Sequence, residues 1–527
     1  MPKTLVIYFP QYHQDPLNDK NWGVNFTDWD SLRASSKQNK YKRPIPRPLL
    51  EAQEASNSSS SRFHNTTTTH IAPPPILGYY DLLHRAPRKN QGLLAKQYGV
   101  DGFIYHHYWF YDPHPTNQQR KNTPNLAKSL EKMLRDGYPD LPFAFNWCTV
   151  RWVNVWMGKA IFQKVPTNKN RAIILQEQYF NATADAIYQH YVWLKQFFLH
   201  PNYITIQHNP ILYVYHYDAR VLPIVELLRQ YTKEDPTTPF TGLHLIVGRS
   251  SYPPDIYTTQ HLAATNPRAH EVLEATNQGL DLVNPMTTAV QIKSIYSYAD
   301  DNKDPTSHRT ITNNDHDDVV AKHFWNYTPF NQSMTYPYPL EYITKPYELP
   351  QWCTARQTGT HEQNNHNTNK NNPNTNTSSN KAASSDYASP EIIGVITAFD
   401  NSPRRPHKDA TVYMGGTESP HDALRRFENN YYVALYYQKC CIATNSNTNH
   451  KNPTIHTENT NPDTENGDND DAAADANTMA YHEDRFVAIN SWNEWAEGMA
   501  IEPSDVYGYQ WLEIIHKVKT KVHTVVC

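Results

Sequence analysis

Short apolar runs recur along the chain and set the fold it predicts. They are LVIYF (5–9), VDGFIYH (100–106), PFAFNW (142–147), ILYVY (211–215), LHLIV (243–247), LDLVNP (280–285), IIGVITAFD (392–400) and RFVAINSW (485–492). Each is continuous rather than alternating, the pattern of strands buried on both faces. Stretches with helical apolar spacing lie among them, at 79–99, 126–137, 174–199, 221–231, 422–440 and 506–519. Gly99 and Gly137 stand where helix C-caps belong. The stretches around 250–278 and 286–350 give no clear period. Eight strands alternating with helices predict an α/β fold, a single (β/α)8 TIM barrel. An open doubly wound sheet is the alternative, but no glycine-rich phosphate fingerprint follows any run.

Three segments break the pattern and then let it resume. They lie at about 52–72 (with SNSSSS and NTTTTH), 357–389 (NNHNTNKNNPNTNTSSN) and 444–479 (ENGDNDDAAADANT). Asn/Thr/Ser tracts cannot bury enough apolar surface to offset the entropy of ordering. They are expected to be disordered insertions in one domain spanning 1–527, not linkers between domains.

Composition narrows the partners. The formal net charge is -4 over 527 residues, without the basic face of a nucleic-acid binder. No apolar run reaches the roughly 18 residues of a membrane span. The start, MPKTLVIYFPQYH, has no secretory h-region or cleavage site, so the expected compartment is the cytoplasm. The five cysteines, Cys148, Cys353, Cys440, Cys441 and Cys527, form no CxxC pair. They suggest neither a zinc site nor a disulfide framework. The 36 tyrosines and 12 tryptophans read first as core and surface aromatics, and second as platforms for stacking sugars.

The chemistry gathers at the ends of the predicted strands, where a barrel of this kind keeps its active site. Successive runs end in Gln11 and His13; His106, His107, Tyr108 and Trp109; Asn146 and Trp147; Tyr215; Asn284; and Asp400, Arg404 and Arg405. The last run leads into NSWNEWAEG, with Trp492, Asn493, Glu494, Trp495 and Glu497. A sugar packs its C–H faces on rings and needs hydrogen-bonding side chains for its hydroxyls. His106 and His107 lack a clear third ligand, and neighbours on a strand point to opposite faces, so hydrogen bonding is favoured over metal binding. Arg404 and Arg405 are candidates to clamp an anionic group such as a uronate or a sugar-nucleotide phosphate, with structural ion pairs an equal reading.

Glycoside chemistry needs two carboxyl groups flanking the scissile bond. In a helical segment, Glu494 and Glu497 would sit one turn apart with their carboxyls close. That spacing suits retaining enzymes, whose carboxyls are roughly 5–5.5 Å apart, better than inverting ones at roughly 6.5–9.5 Å. Two like charges so near would drive one pKa up, giving an acid and a base at neutral pH.

Several stretches resemble the WbsX-type proteins of bacterial polysaccharide loci, which carry a glycoside hydrolase family 99-like domain. They are IYFPQYH (7–13), WGVNFTDWDSL (22–32), YGVDGFIYHHYWF (98–110), FDNSPRR (399–405), NSWNEWAEG (490–498) and EPSDVYGYQWLEII (502–515). The resemblance implies a (β/α)8 barrel, a glycan or polysaccharide substrate, and no metal or other cofactor. Hydrolases of that family are retaining endo-α-mannosidases with a paired ExxE motif. There one glutamate takes the proton of the sugar's own 2-hydroxyl, which attacks C1 to give an epoxide-like intermediate. The other protonates the leaving oxygen and then activates water. By the resemblance, Glu494 is the base and Glu497 the acid/base. Two departures stand out. Trp147-Cys148-Thr149-Val150-Arg151-Trp152 lacks the Asn-Glu of the family's WANExW-like stretch, and Asp28 replaces a usual glutamate. WbsX-type proteins are also called glycosyltransferases, so a transferase of glycan assembly and a non-catalytic glycan-binding barrel are the alternatives.

Overall fold

The computed structural model describes residues 1–50, 74–111, 124–153, 174–215, 219–249, 332–335, 391–405, 410–441 and 485–527. The predicted strand at 280–285, with Asn284, and the three predicted insertions lie outside these residues.

The principal elements alternate along the chain. β1 (Lys3–Tyr8) is followed by two short helices, α1 (Pro16–Trp22) and α2 (Asp28–Ala34). Next come α3 (Arg85–Gln97), β2 (Gly102–Trp109), α4 (Lys128–Asp136), β3 (Phe143–Trp147), α5 (Ala184–Phe198) and β4 (Asn209–Val214). Then follow α6 (Leu222–Glu234), β5 (His244–Arg249), β6 (Gln332–Thr335), β7 (Glu391–Ile396), α7 (Pro420–Tyr436), β8 (Phe486–Asn490) and α8 (Gln510–His523). Pairing is parallel throughout these eight strands, in the order β1-β8-β7-β6-β5-β4-β3-β2, and β2 pairs in turn with β1.

Seven of the eight predicted apolar runs coincide with these strands. In the sheet, the place between β5 and β7 is held by β6, whose sequence is QSMT. That strand lies in the stretch where the apolar pattern gave nothing, because its residues are not an apolar run.

Burial explains the continuous runs. Every residue of β2 (GFIYHHYW) is buried, as is every residue of β3. On β2 one face points into the sheet's interior and the other meets a helix. Helix ends follow ordinary capping rules. Thr183 accepts from Ala186 N at the start of α5, and Ser419 from Asp422 N at the start of α7. α4 ends on Gly137 in the left-handed region at φ 71°, the glycine C-cap its sequence predicted. β2 and β3 start so close together that a Cβ on Gly102 would come within 2.7 Å of the Pro142 carbonyl oxygen.

Cys440 and Cys527 form a disulfide, correcting the expectation of no bridge. Their 87-residue separation leaves no local spacing to read. Disulfides are kept in oxidising compartments and are rare in the cytosol, so the cysteines lend no support to a cytoplasmic location. Among the described residues no helix is long and apolar enough to cross a membrane.

Candidate active site

The stretch after β8 does not form an α-helix. Asn493 and Glu494 pair antiparallel with Ala500 and Met499, and Trp495–Glu497 make a single 3-10 turn between them. Gly498 closes that turn at φ 68°, in the region that favours glycine, and a Cβ there would meet Asp400 Cβ at 3.2 Å. The tight hairpin brings Glu494 and Glu497 together where the sequence suggested one turn of α-helix.

Arg404 joins them. Its Nη1 donates to Glu497 Oε1 at 2.7 Å and to Glu494 Oε1 at 3.3 Å. On its other edge Nη2 and Nε donate to the two carboxylate oxygens of Asp28, at 2.8 and 3.3 Å. Asp28 opens α2, where Thr27 and Asp30 form a capping box. The guanidinium also lies 5.1 Å over the Phe9 ring. All four ionic groups are buried. Since both glutamate oxygens contact one nitrogen, they are at most about 6 Å apart.

Three carboxylates face this one guanidinium, with Arg405, half-buried, adding a second attraction on Glu497. Burial, then the neighbouring Glu497 carboxylate, push the Glu494 carboxyl up to about 8. Burial raises Glu497 as well, opposed first by Arg404. Arg404 stands closer to Glu497 than to Glu494, so the resting charge sits better on Glu497 and the proton on Glu494.

A polar wall flanks the pair. His106 Nδ1 lies 3.0 Å from Cys148 Sγ and 3.4 Å from Asn146 Nδ2. Burial, then the charge of Arg404, hold the imidazole down to about 3, so it is neutral. Burial pushes the Tyr108 phenol well above its ordinary value, and its side chain bonds to Gln11. The Tyr215 ring lies 5.8 Å from that of His106. Burial and Glu494 push the Cys148 thiol well up, so it stays protonated.

Other predicted contact residues lie elsewhere. His107, Trp109 and Trp147 face α5. His107 Nε2 lies 2.7 Å from His190 Nε2, and the Trp109 ring stacks on His190 at 4.4 Å. Trp147 Nε1 donates to the Trp109 carbonyl. The period of two along β2 puts His106 and Tyr108 on one face and His107 and Trp109 on the other. Trp492 packs edge-on to Phe103 and Trp495 donates to Glu502, both fully buried. Their rings are core, not an open platform for a sugar.

Asn493 clamps the end of β1, accepting from Phe9 N at 2.8 Å and donating to Phe9 O at 3.0 Å. Asp400 accepts from Ser402 N in its own loop and from Asn39 Nδ2 in the segment after α2. His13 is buried near Asp15, Asp81 and Lys128, apart from the Arg404 cluster. Arg404 is engaged by three carboxylates of its own chain, which corrects its reading as a clamp for an external anion.

Sequence patterns alone assign no role to Cys148, Glu502 or Phe9, and mark Asp28 only as a departure from the family. Glu502 and Asp28 stood inside quoted motifs, the one signal that could have raised them. Among the described residues no group of three or more His, Cys, Asp or Glu could hold a metal ion.

A buried acid pair at the C-terminal edge of a parallel α/β sheet is the equipment of a carbohydrate-active enzyme. The chain belongs to the glycosyltransferase WbsX family, whose model matches residues 4–47, 57–427 and 422–515. It is 25% identical over 216 residues to the uncharacterized protein WxcX of Xanthomonas campestris pv. campestris, in strain B100 and in strain ATCC 33913. The match takes in 41% of this chain but only 24% of those relatives' length. Similar solved structures include the GH99 endo-alpha-mannosidase of Bacteroides thetaiotaomicron, at 11% identity and TM-score 0.37, covering 99% of this chain and 97% of that one. A glycoside hydrolase-like protein matches at 10% identity and TM-score 0.37, covering 85% of this chain and 89% of its own. Likenesses this faint say nothing about chemistry.

Proposed function

We propose that this protein is a retaining glycoside hydrolase acting on an α-linked, mannose-like glycan through Glu494 and Glu497. The observation that carries the reading is the pair of buried carboxyls sharing one Arg404 nitrogen. The ring of strand pairings supports a closed (β/α)8 barrel, with the pair at the C-terminal mouth expected of that fold. His106, Tyr108, Gln11, Asn146 and Tyr215 are the proposed wall for sugar hydroxyls and C–H faces. Cys148 stands in the stretch that lacks the family's Asn-Glu.

One carboxylate takes the proton of the sugar 2-hydroxyl, and that oxygen attacks C1 as the bond from C1 to the leaving oxygen breaks. The other carboxyl delivers its proton to the leaving oxygen. Water then loses a proton to the second group and opens the three-membered ring at C1, while the first returns its proton to the 2-oxygen. The resemblance makes Glu494 the base. The resting protonation favours the reverse, with Glu494 carrying the proton and Glu497 the charge.

Turnover of α-mannosides by wild type, Glu494→Gln and Glu497→Gln tests the reading, with a loss of about a thousandfold or more expected in each variant. Aryl glycosides with good leaving groups recover much of the rate when the acid is the residue removed, and little when the base is. Unchanged turnover in either variant overturns the pair. The transferase reading wants a site for a phosphate-bearing donor, and the engagement of Arg404 by its own carboxylates weighs against the candidate the sequence offered.

A further inference from the structure

Glu502 is a second buried carboxyl that the proposed chemistry does not use. It lies five residues after Glu497, just past the hairpin and behind it, 1% exposed. Its partners are neutral donors. Trp495 Nε1 donates to Oε2 at 2.9 Å, Tyr80 OH to Oε2 at 2.9 Å, and Gln91 Nε2 to Oε1 at 2.8 Å. The Gln91 amide is itself held in that orientation, because its Oε1 accepts from Tyr8 OH at 2.8 Å. A carboxylate has only acceptors to offer, so this ring of donors matches the ionised form and not an amide. Burial works against the charge and raises the group to about 7.

The donors lead to both chain neighbours of Glu494. Trp495 is bound directly. Asn493 is bound through Tyr80, whose hydroxyl accepts from Asn493 Nδ2 at 3.1 Å. The same two residues meet again at Tyr12, whose hydroxyl donates to the Asn493 carbonyl and accepts from Trp495 N. Glu494 thus sits on a turn fixed from behind on both sides, and its 3.3 Å approach to Arg404 depends on where that turn is held.

We propose that Glu502 is a positioning residue, an acceptor hub that fixes Asn493 and Trp495 and so sets the placement of Glu494 against Arg404. The inference rests on the role given to Glu494 above, but its test does not need turnover. In Glu502→Gln the amide nitrogen takes the place of one carboxylate oxygen and so faces the N–H of Trp495 or of Gln91, donor against donor, and the turn shifts. Glu494 then loses part of its hold on Arg404, and its carboxyl titrates higher.

The experiment is a 13C carboxyl titration of the ligand-free full chain labelled at glutamate, with the Glu494 signal assigned by its loss in Glu494→Gln. Wild type is compared with Glu502→Gln, Trp495→Phe and Tyr80→Phe. The expected result is an upward move of the Glu494 midpoint by about half a pH unit or more in Glu502→Gln, and a smaller move the same way in the other two. A Glu494 midpoint unchanged in Glu502→Gln, with only the thermal midpoint lowered, overturns the proposal and leaves Glu502 a packing residue. Should Glu502→Gln not fold, Tyr80→Phe and Trp495→Phe decide by the same criterion. On a glycan that wild type turns over, the expected signature is kcat down about tenfold or more with KM within about twofold. A wild type that cleaves no α-linked glycan sinks the hydrolase reading, while the titration still decides the role of Glu502.

Discussion

The two faces of β2 and β3 carry similar residues and do different things with them. On the inner face His106, Tyr108 and Asn146 stand beside Cys148 and the Arg404 cluster. On the outer face His107, Trp109 and Trp147 meet His190, Trp193 and Tyr111 of the surrounding layer. The outer histidines are linked in a chain, His107 Nε2 to His190 Nε2 and His190 Nδ1 to the Tyr111 hydroxyl. Stacked rings cover them. Burial holds His107 down to about 3 and His190 well below its ordinary value, so both are neutral. The inner face instead concentrates ions beside neutral polar groups. A histidine and an aromatic on a buried strand therefore do not mark a site. What marks it is an ionic cluster that the rest of the fold must stabilise.

The largest expected effect lies in that cluster. Arg404→Met leaves three buried carboxyls without their cation, and unfolding free energy near pH 7.5 should fall by about 3–5 kcal/mol. The remaining carboxyls then have raised pKa values in the fold, so part of the loss should return as the pH drops toward 5. Urea unfolding at several pH values checks this, and a variant as stable as wild type at pH 7.5 would break the contrast between the faces. The outer face should answer differently. His190→Ala removes stacking and two hydrogen bonds, at about 2–4 kcal/mol. The loss should be flat above about pH 7 and shrink as the pH falls below the ordinary histidine value, because unfolded His190 then binds a proton that the folded one does not. Any turnover that wild type shows should stay within about twofold. A large drop in turnover by the folded variant would mean that the two faces are coupled.

The smallest effect per pH unit sharpens the comparison in the wild type. Glu494 is ionised near pH 4.5 when unfolded but holds its proton to about 8 in the fold. The native state binds the extra proton between those values, so this group's stabilising contribution is present at low pH and lost as pH rises through that window. One such proton contributes a slope of at most about 1.4 kcal/mol per pH unit. Glu494→Gln should flatten that part of the curve. A profile identical to wild type would show that Glu494 is not the protonated member of the pair.

The strands were legible because burial on both faces writes itself as unbroken apolar runs, as in GFIYHHYW. The exception is QSMT, whose place in the sheet no local pattern announces. The acid pair was legible from its spacing and its position after the last strand, although a hairpin and not a helix brings it together. Asp28 was not, because its meeting with Arg404 spans 376 residues and no local rule reaches that far. Trp492 and Trp495 were misplaced for a simpler reason. An indole that fills a core and one that waits for a sugar look the same in a sequence, and only burial tells them apart.

The Cys440–Cys527 bridge changes what a cut in the backbone would mean. Glu494, Glu497, Glu502 and all of β8 and α8 lie inside the covalent loop it closes. A single proteolytic nick anywhere between the two cysteines yields two polypeptides that still travel as one molecule. The piece bearing the acid pair cannot diffuse away from Arg404 and Asp28 until a reductant opens the bridge.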